Sequence, residues 1–331
     1  MEQEEKKIPV AVVAGPTASG KTALAAAFAK AHNGEVVSAD SMQVYAGMPI
    51  GTAQPEESEK LGAPHHLIGF LSPERAFSVA DYVEAAGSCI ADIHRRGKLP
   101  VVAGGTGLYI RSLLHGVRFA QMPEDSALRQ ELSRRAEESP QALWEELRQA
   151  DPEAAAAIHP NNRKRVVRAL EVYRLTGVPF SVQSRQAVPE DSPYRWAIVG
   201  LGFHDREALY GRINRRVDVM LEKGLLEEAR GFFQKGPGAT AVQAIGYKEL
   251  APYFRGEIPL EAAAENIRRE PRRYAKRQLT WFRREEGLHW LYVDEPGGME
   301  RLLAQAEAIF RQEGILPWVK EDGTWPENRQ K

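Results

Sequence analysis

The run GPTASGKT, Gly15 to Thr22, spaces two glycines by four residues and follows them with a lysine and a threonine. That is the G-x-x-x-x-G-K-[ST] spacing of a loop that cradles phosphate oxygens. Gly15 and Gly20 allow the backbone to turn so that successive N–H groups point inward, and the positive end of a following helix adds to the field. Lys21 supplies a full charge, and the Thr22 hydroxyl suits a magnesium ligand. Gly15, Pro16, Thr17, Ala18, Ser19, Gly20, Lys21 and Thr22 are therefore the candidate diphosphate site. An ATP-cleaving enzyme usually adds a magnesium-holding aspartate after a second apolar strand. Here the apolar run Leu99–Ala103 leads into GGTGLYI, with no carboxylate, and Asp40 in EVVSADSMQVY is the nearby acid. The motif specifies a diphosphate and leaves open whether a nucleotide carries it.

Asp40 falls at the expected C-terminal end of its strand, the edge of an open α/β sheet where ligands collect. It is suited to hold magnesium, to accept a proton from a nucleophile, or merely to cap the next turn. Ser41, Gln43 and Tyr45 beside it have side chains that match a purine edge. Gly104 to Ile110 repeats the arrangement at another strand end, with Thr106 offering a hydroxyl between glycines. Two basic runs stand out against a formal net charge of -1: NNRKRVVR from Asn161, and RREPRRYAKRQLTWFRR from Arg268 with Tyr274, Trp281 and Phe282 interleaved. A basic run is commonly a solvated face, but two of them suit a phosphate backbone. In RINRRVDVML, Arg212 and Arg216 lie four apart and share one helix face. QAIGYKEL, Gln243 to Leu250, reads as a helix start.

Elements that position these groups follow from periodicity. Val10–Ala14, Glu35–Ser38, Leu99–Ala103 and Trp196–Leu201 read as buried strands separated by helices such as Thr22–Ala31 and Val79–Arg95. Such alternation predicts an α/β fold with a parallel sheet covered on both faces. From Gly116 to Pro193 the pattern is helical (Leu128–Ala136, Gln141–Ala150, Arg163–Leu175), so a helical insertion interrupts the sheet. The last third adds helices at Arg206–Glu222, Leu225–Gln234, Leu260–Arg269 and Tyr274–Arg284, with Pro271 expected to end one helix before the next begins. The domains expected are residues 1–116 (core), 117–193 (insertion), 194–315 (core completion with the basic helices) and a tail over 316–331. One cysteine, Cys89, excludes an internal disulfide framework and a cysteine-rich zinc site. A charged start, MEQEEKK, and no long apolar run predict a cytoplasmic protein with no membrane partner.

Taken in order, GPTASGKT, SADSMQVYAGMPIGTAQP, PHHLIGF, GGTGLYI, NNRKRVVRALEVY, INRRVDVML, AIGYKEL and YAKRQLTWFR resemble the bacterial tRNA dimethylallyltransferases across most of the chain. Pro271 departs from that pattern. The resemblance implies a P-loop, nucleotide-kinase-like core with a mobile helical insertion. It implies transfer of a dimethylallyl group from dimethylallyl diphosphate to N6 of adenosine 37, beside the tRNA anticodon, by a monomer using Mg2+. By the same resemblance, Asp40 is the general base. Lys21, Thr17 and either Arg212 or Arg216 assist departure of the diphosphate. Asp40, Ser41, Met42, Gln43, Thr106, Arg163, Lys164, Arg165, Val166, Val167, Gln243, Ala244, Ile245, Gly246, Tyr247 and Lys248 meet the tRNA. A nucleoside kinase, a non-catalytic RNA-binding module and an adenylate isopentenyltransferase are the alternatives that share the phosphate loop.

Overall fold

A computed structural model describes residues 7–119 and 125–316. Chain contacts divide it into two units, Met1–Leu114 with Ser192–Lys331, and His115–Asp191. The sequence expectation put the insertion at residues 117–193. The expected tail lies outside the described residues except for Leu316, which is buried in the core beside Ile315.

In the first unit, the phosphate loop connects β1 (Ile8–Ala14) to α1 (Lys21–Ala31). The chain continues through β2 (Gly34–Ser38), β3 (His65–His66), α2 (Val79–Arg95), β4 (Leu99–Gly104) and α3 (Gly107–Leu114). The second unit follows, with α4 (Ser126–Glu138), α5 (Pro140–Ala150), α6 (Pro152–Ala157), α7 (Arg163–Thr176) and α8 (Phe180–Gln186). The first unit resumes with β5 (Tyr194–Gly202), α9 (Arg206–Glu222), α10 (Leu225–Gln234), α11 (Tyr247–Phe254), α12 (Leu260–Phe282), β6 (Leu288–Tyr292) and α13 (Gly298–Gln312).

The six strands form one parallel sheet in the order β3-β2-β4-β1-β5-β6. β1 lies inside it, and Val10 to Ala14 are wholly buried. A strand covered on both faces must be apolar at every position, which is why VAVVA does not alternate. One face packs Phe28 of α1 and Phe310 of α13; the other packs Tyr82 and Ile90 of α2 and Ile110 and Leu113 of α3. Because β4 sits between β2 and β1, the loops after β1, β2 and β4 open side by side at one sheet edge. The second unit has its own core, with Leu132, Leu143, Leu147, Val166 and Leu170 buried together.

Two strands escape the sequence pattern. β3 has two residues and β6, LHWLY, is only half-buried, so neither shows a clear period. The expected break at Pro271 does not occur: α12 runs unbroken for 23 residues with the proline inside it. A proline removes one intrahelical N–H donor, but Ile267 and Ala275 on either side are buried in neighbouring apolar clusters and hold both halves against the first unit. Packing overrides the local preference. Pro271→Ala would restore the missing donor and is expected to stabilise the protein by about 1–3 kcal/mol. A lowered thermal midpoint for that variant would show that the proline is compensated in some other way.

Candidate diphosphate and acceptor site

The phosphate loop is shaped by its backbone. Gly20, at φ 95°, turns the chain immediately before α1, in the left-handed region that side chains disfavour. The Lys21 ammonium folds back to donate to the Pro16 carbonyl at 3.1 Å. Ser19 is buried, and its hydroxyl has no hydrogen-bond partner among the described residues. A buried hydroxyl without a partner is uncommon and leaves a donor available in the loop.

Asp40 lies two residues beyond β2. Its Oδ1 accepts from the Met42 and Gln43 amides at 3.0 and 3.4 Å, an Asx turn that fixes the side chain. Among the described residues no hydrogen bond reaches Oδ2. Thr106, just past β4, ties the neighbouring loops together: its amide donates to Ala39 O at 3.1 Å, and its hydroxyl accepts from the Ser41 amide at 3.1 Å. From α12, the buried Gln278 reaches both loops. Its Oε1 accepts from the Thr17 amide at 2.9 Å, and its Nε2 donates to Gly105 O at 2.8 Å. Gly105 must lack a side chain here, because a Cβ would come within 2.1 Å of that nitrogen.

The two arginines of α9 separate. Arg212 is exposed, donates from Nε to Ala18 O at 2.9 Å and lies over the Phe203 ring, so it braces the loop from outside. Arg216 points inward, and burial of its guanidinium lowers its pKa while Asp40 opposes the shift. Lys21 responds in the same way. Burial pulls its pKa down to about 8, Asp40 pushes it up, and the Arg216 charge lowers it further. Two desolvated cations thus share one carboxylate, an arrangement with positive charge to spare. The Tyr274 phenol is pushed up to about 12 by burial and by the Asp40 charge, with hydrogen bonding toward Thr106 and Gln278 pulling the other way.

Other expected residues are placed differently. Gln43 spends its side chain inside the protein, donating to Ala53 O at 3.0 Å and accepting from Ser38 Oγ at 3.2 Å. Tyr45 is wholly buried among apolar side chains and does not present a hydroxyl to a purine, contrary to the sequence expectation. In the 243–248 stretch, Gln243 is exposed and Lys248 half-exposed, whereas Ala244 and Tyr247 are buried. The Tyr247 hydroxyl donates to Glu228, whose carboxylate also takes the Ile50 and Gly51 amides at 2.9 and 2.8 Å. In the second unit, Arg163, Lys164 and Arg165 are exposed at the start of α7, and Val166 and Val167 are buried in that unit's core. Among the described residues, no cluster of three His, Cys, Asp or Glu side chains could hold a metal ion. Nor is any helix among them long and apolar enough to cross a membrane.

The IPP transferase family model matches residues 43–285, and the isopentenyl transferase model matches residues 8–66. The chain belongs to the IPP transferase family. A tRNA dimethylallyltransferase of Geobacillus thermodenitrificans is 47% identical over 308 residues, covering 91% of this chain and 95% of the relative. That of Acetivibrio thermocellus is 46% identical over 310 residues, covering 93% and 99%. Among solved structures, a tRNA isopentenylpyrophosphate transferase from Bacillus halodurans is similar with a TM-score of 0.69 at 43% identity, covering 93% of this chain and 98% of the other. A eukaryotic dimethylallyltransferase acting on tRNA matches with a TM-score of 0.78 at 27% identity, covering 97% and 81%.

For this member of the IPP transferase family, sequence reading missed Gln278, Glu228 and the inward role of Tyr274. The available signal for Gln278 was a polar residue in the buried stripe of α12 that includes Ile267, Ala275 and Phe282.

The Lys21 shift has a measurable consequence. An anion in the cradle raises the ammonium pKa again, so binding takes up a proton wherever free Lys21 is deprotonated. Affinity for an organic diphosphate should hold steady below about pH 8 and then fall with rising pH, by up to about tenfold per unit. Titration calorimetry across pH 7 to 10 checks this. A Lys21→Ala variant should bind weakly with a flat profile over the same range, and a wild-type profile equally flat would refute the assignment.

Proposed function

We infer that this protein transfers a dimethylallyl group to tRNA, and we propose that dimethylallyl diphosphate is the donor and N6 of adenosine 37 the acceptor. The observation that carries this reading is that half-buried Lys21 and Arg216 both act electrostatically on Asp40 at the edge where the phosphate loop opens. The two cations suit a departing diphosphate, and the carboxylate beside them suits an amine that must lose a proton.

An allylic carbon ionises readily once the charge developing on its leaving group is neutralised, so the protein's largest task is electrostatic. Lys21 and Arg216 face that charge, with the Ser19 hydroxyl and the amides of Ala18–Thr22 completing the cradle. Arg212 acts one step removed, by holding Ala18 in place. The carbon–oxygen bond breaks with its electron pair going to the diphosphate, and the purine amine attacks the allylic carbon. Asp40 Oδ2 accepts the amine proton while Oδ1 stays in its turn. General base catalysis of this kind contributes about 10²–10⁴-fold.

The family is consistent with a divalent cation, and the residues fit magnesium. Magnesium seldom uses an all-protein cage and takes instead one or two protein oxygens with substrate phosphates and water. Thr22 would hold it at the first turn of α1, where it would supply further charge neutralisation to the diphosphate.

A polyanionic substrate needs cations that are not spent on internal ion pairs. On α12 and just past its end, Lys276 and Arg284 are exposed and Arg277 is exposed over the Tyr274 ring, whereas Arg268 and Arg272 are tied to Asp218 and Asn214. At the start of α7, Arg163, Lys164 and Arg165 are exposed as well. The adenosine leaves its stack to reach Asp40, which costs a few kcal/mol and least in a single-stranded loop.

Incubation with radiolabelled dimethylallyl diphosphate and unmodified tRNA should leave label in the tRNA. Phosphate release from ATP without labelled tRNA would instead mark a kinase. Asp40→Ala should lower turnover by at least about 10²-fold with a smaller change in tRNA affinity; a loss below about threefold would eliminate the general-base role. Lys164→Ala should weaken tRNA binding and lower the slope of log affinity against log salt by about one. An unaltered slope would remove that residue from the contact surface.

A further inference from the structure

We propose that Gln278 is a positioning residue that fixes the phosphate loop relative to the general base, so that ionisation of the donor is coupled to attack by the amine rather than by water. This role deepens the transferase reading above and rests on it.

Gln278 sits on α12, is only 5% exposed, and is hydrogen-bonded at both ends of its amide. Thr17, whose amide it accepts, belongs to the loop that holds the diphosphate. Gly105, whose carbonyl it engages, precedes Thr106, which in turn grips Ala39 and Ser41 on either side of Asp40. A path of hydrogen bonds, joined through the Gly105–Thr106 peptide, therefore leads from the diphosphate cradle through one side chain to the residues on either side of Asp40. The two partners make opposite demands, one N–H and one carbonyl. A carboxylate at this position would repel the Gly105 oxygen, and an apolar side chain would leave two buried backbone groups unpaired.

Neighbouring residues on the same helix face reinforce the placement. Tyr274, one turn earlier, hydrogen-bonds toward Thr106 and Gln278 and feels the Asp40 charge. Trp281, three residues later, covers Gly107 so closely that a Cβ there would approach its ring to 2.2 Å. Gln278 is the member of this stripe that reaches both loops with hydrogen bonds.

Positioning matters here because an allylic cation reacts with whatever nucleophile is nearest. Displacement of about 1 Å between reacting groups can cost about 10²-fold in rate. If the loops drift apart, the carbon–oxygen bond still breaks and the diphosphate still leaves with the electron pair. Water then adds to the carbon and loses a proton, giving dimethylallyl alcohol in place of prenylated tRNA.

Gln278→Met keeps length and volume and removes both hydrogen bonds; Gln278→Glu keeps the acceptor toward Thr17 and loses the donor, in case the first variant does not fold. With saturating donor and tRNA, either folded variant should show KM values within about threefold of the original and kcat lower by about 10²-fold. The ratio of labelled alcohol to labelled tRNA should rise at least about tenfold, a readout that a purely structural role would not move. An unchanged ratio, with activity lost only in proportion to the folded fraction, would overturn the role. No label in tRNA from the unsubstituted protein would instead overturn the transferase reading, and this role with it.

Discussion

Two half-buried cations beside one carboxylate are unstable company unless an anion joins them. Lys21 and Arg216 are both pulled toward the neutral state by loss of water, and Asp40 only partly offsets this. Desolvation of charge is expensive, and a protein retains it where a ligand will complete the balance. Much of the first unit serves to hold this arrangement. β1 is driven into the middle of the sheet by its uninterrupted apolar side chains, which aims the phosphate loop at the same edge as Asp40 and Thr106. α9 then brings Arg216 inward from one face and leaves Arg212 outside to brace the loop.

Local chemistry was legible in the sequence and long-range chemistry was not. The phosphate loop could be read because its glycines, lysine and threonine act within eight residues of one another. α2 runs from Val79 to Arg95 as expected, since Ser78 and Asp81 close a capping box that marks its start and apolar spacing carries the rest. Asp40 could be placed at a strand end because its strand was short and apolar. In contrast, Gln278 meets Thr17 across 261 residues, and Glu228 meets Ile50 across 178. No window along the chain contains both partners. Tyr45 was misplaced for the same reason, since a tyrosine near a site looks like a ligand contact until the apolar cluster around it is assembled; Tyr247, assigned by resemblance, is buried in that same cluster.

The unbroken course of α12 joins these scales. Its first half is anchored by Ala263 and Ile267 in the cluster that includes Tyr247 and Val217, and its far end by Phe282 in the cluster beneath α2 and α3. A helix fixed at two separate cores has little freedom to slide or rotate between them. Tyr274 and Gln278 lie in that span and Trp281 at its end, so the loops they touch inherit a position set by packing at a distance. A break at Pro271 would have detached the first anchor from the second. The continuous helix spends one backbone hydrogen bond at the proline and gains a rigid mount for the side chain that joins Thr17 of the loop after β1 to Gly105 after β4. That exchange is favourable because the lost bond is worth about 1 kcal/mol, whereas burying one large apolar side chain such as Ile267 or Phe282 contributes about 1.5–3 kcal/mol.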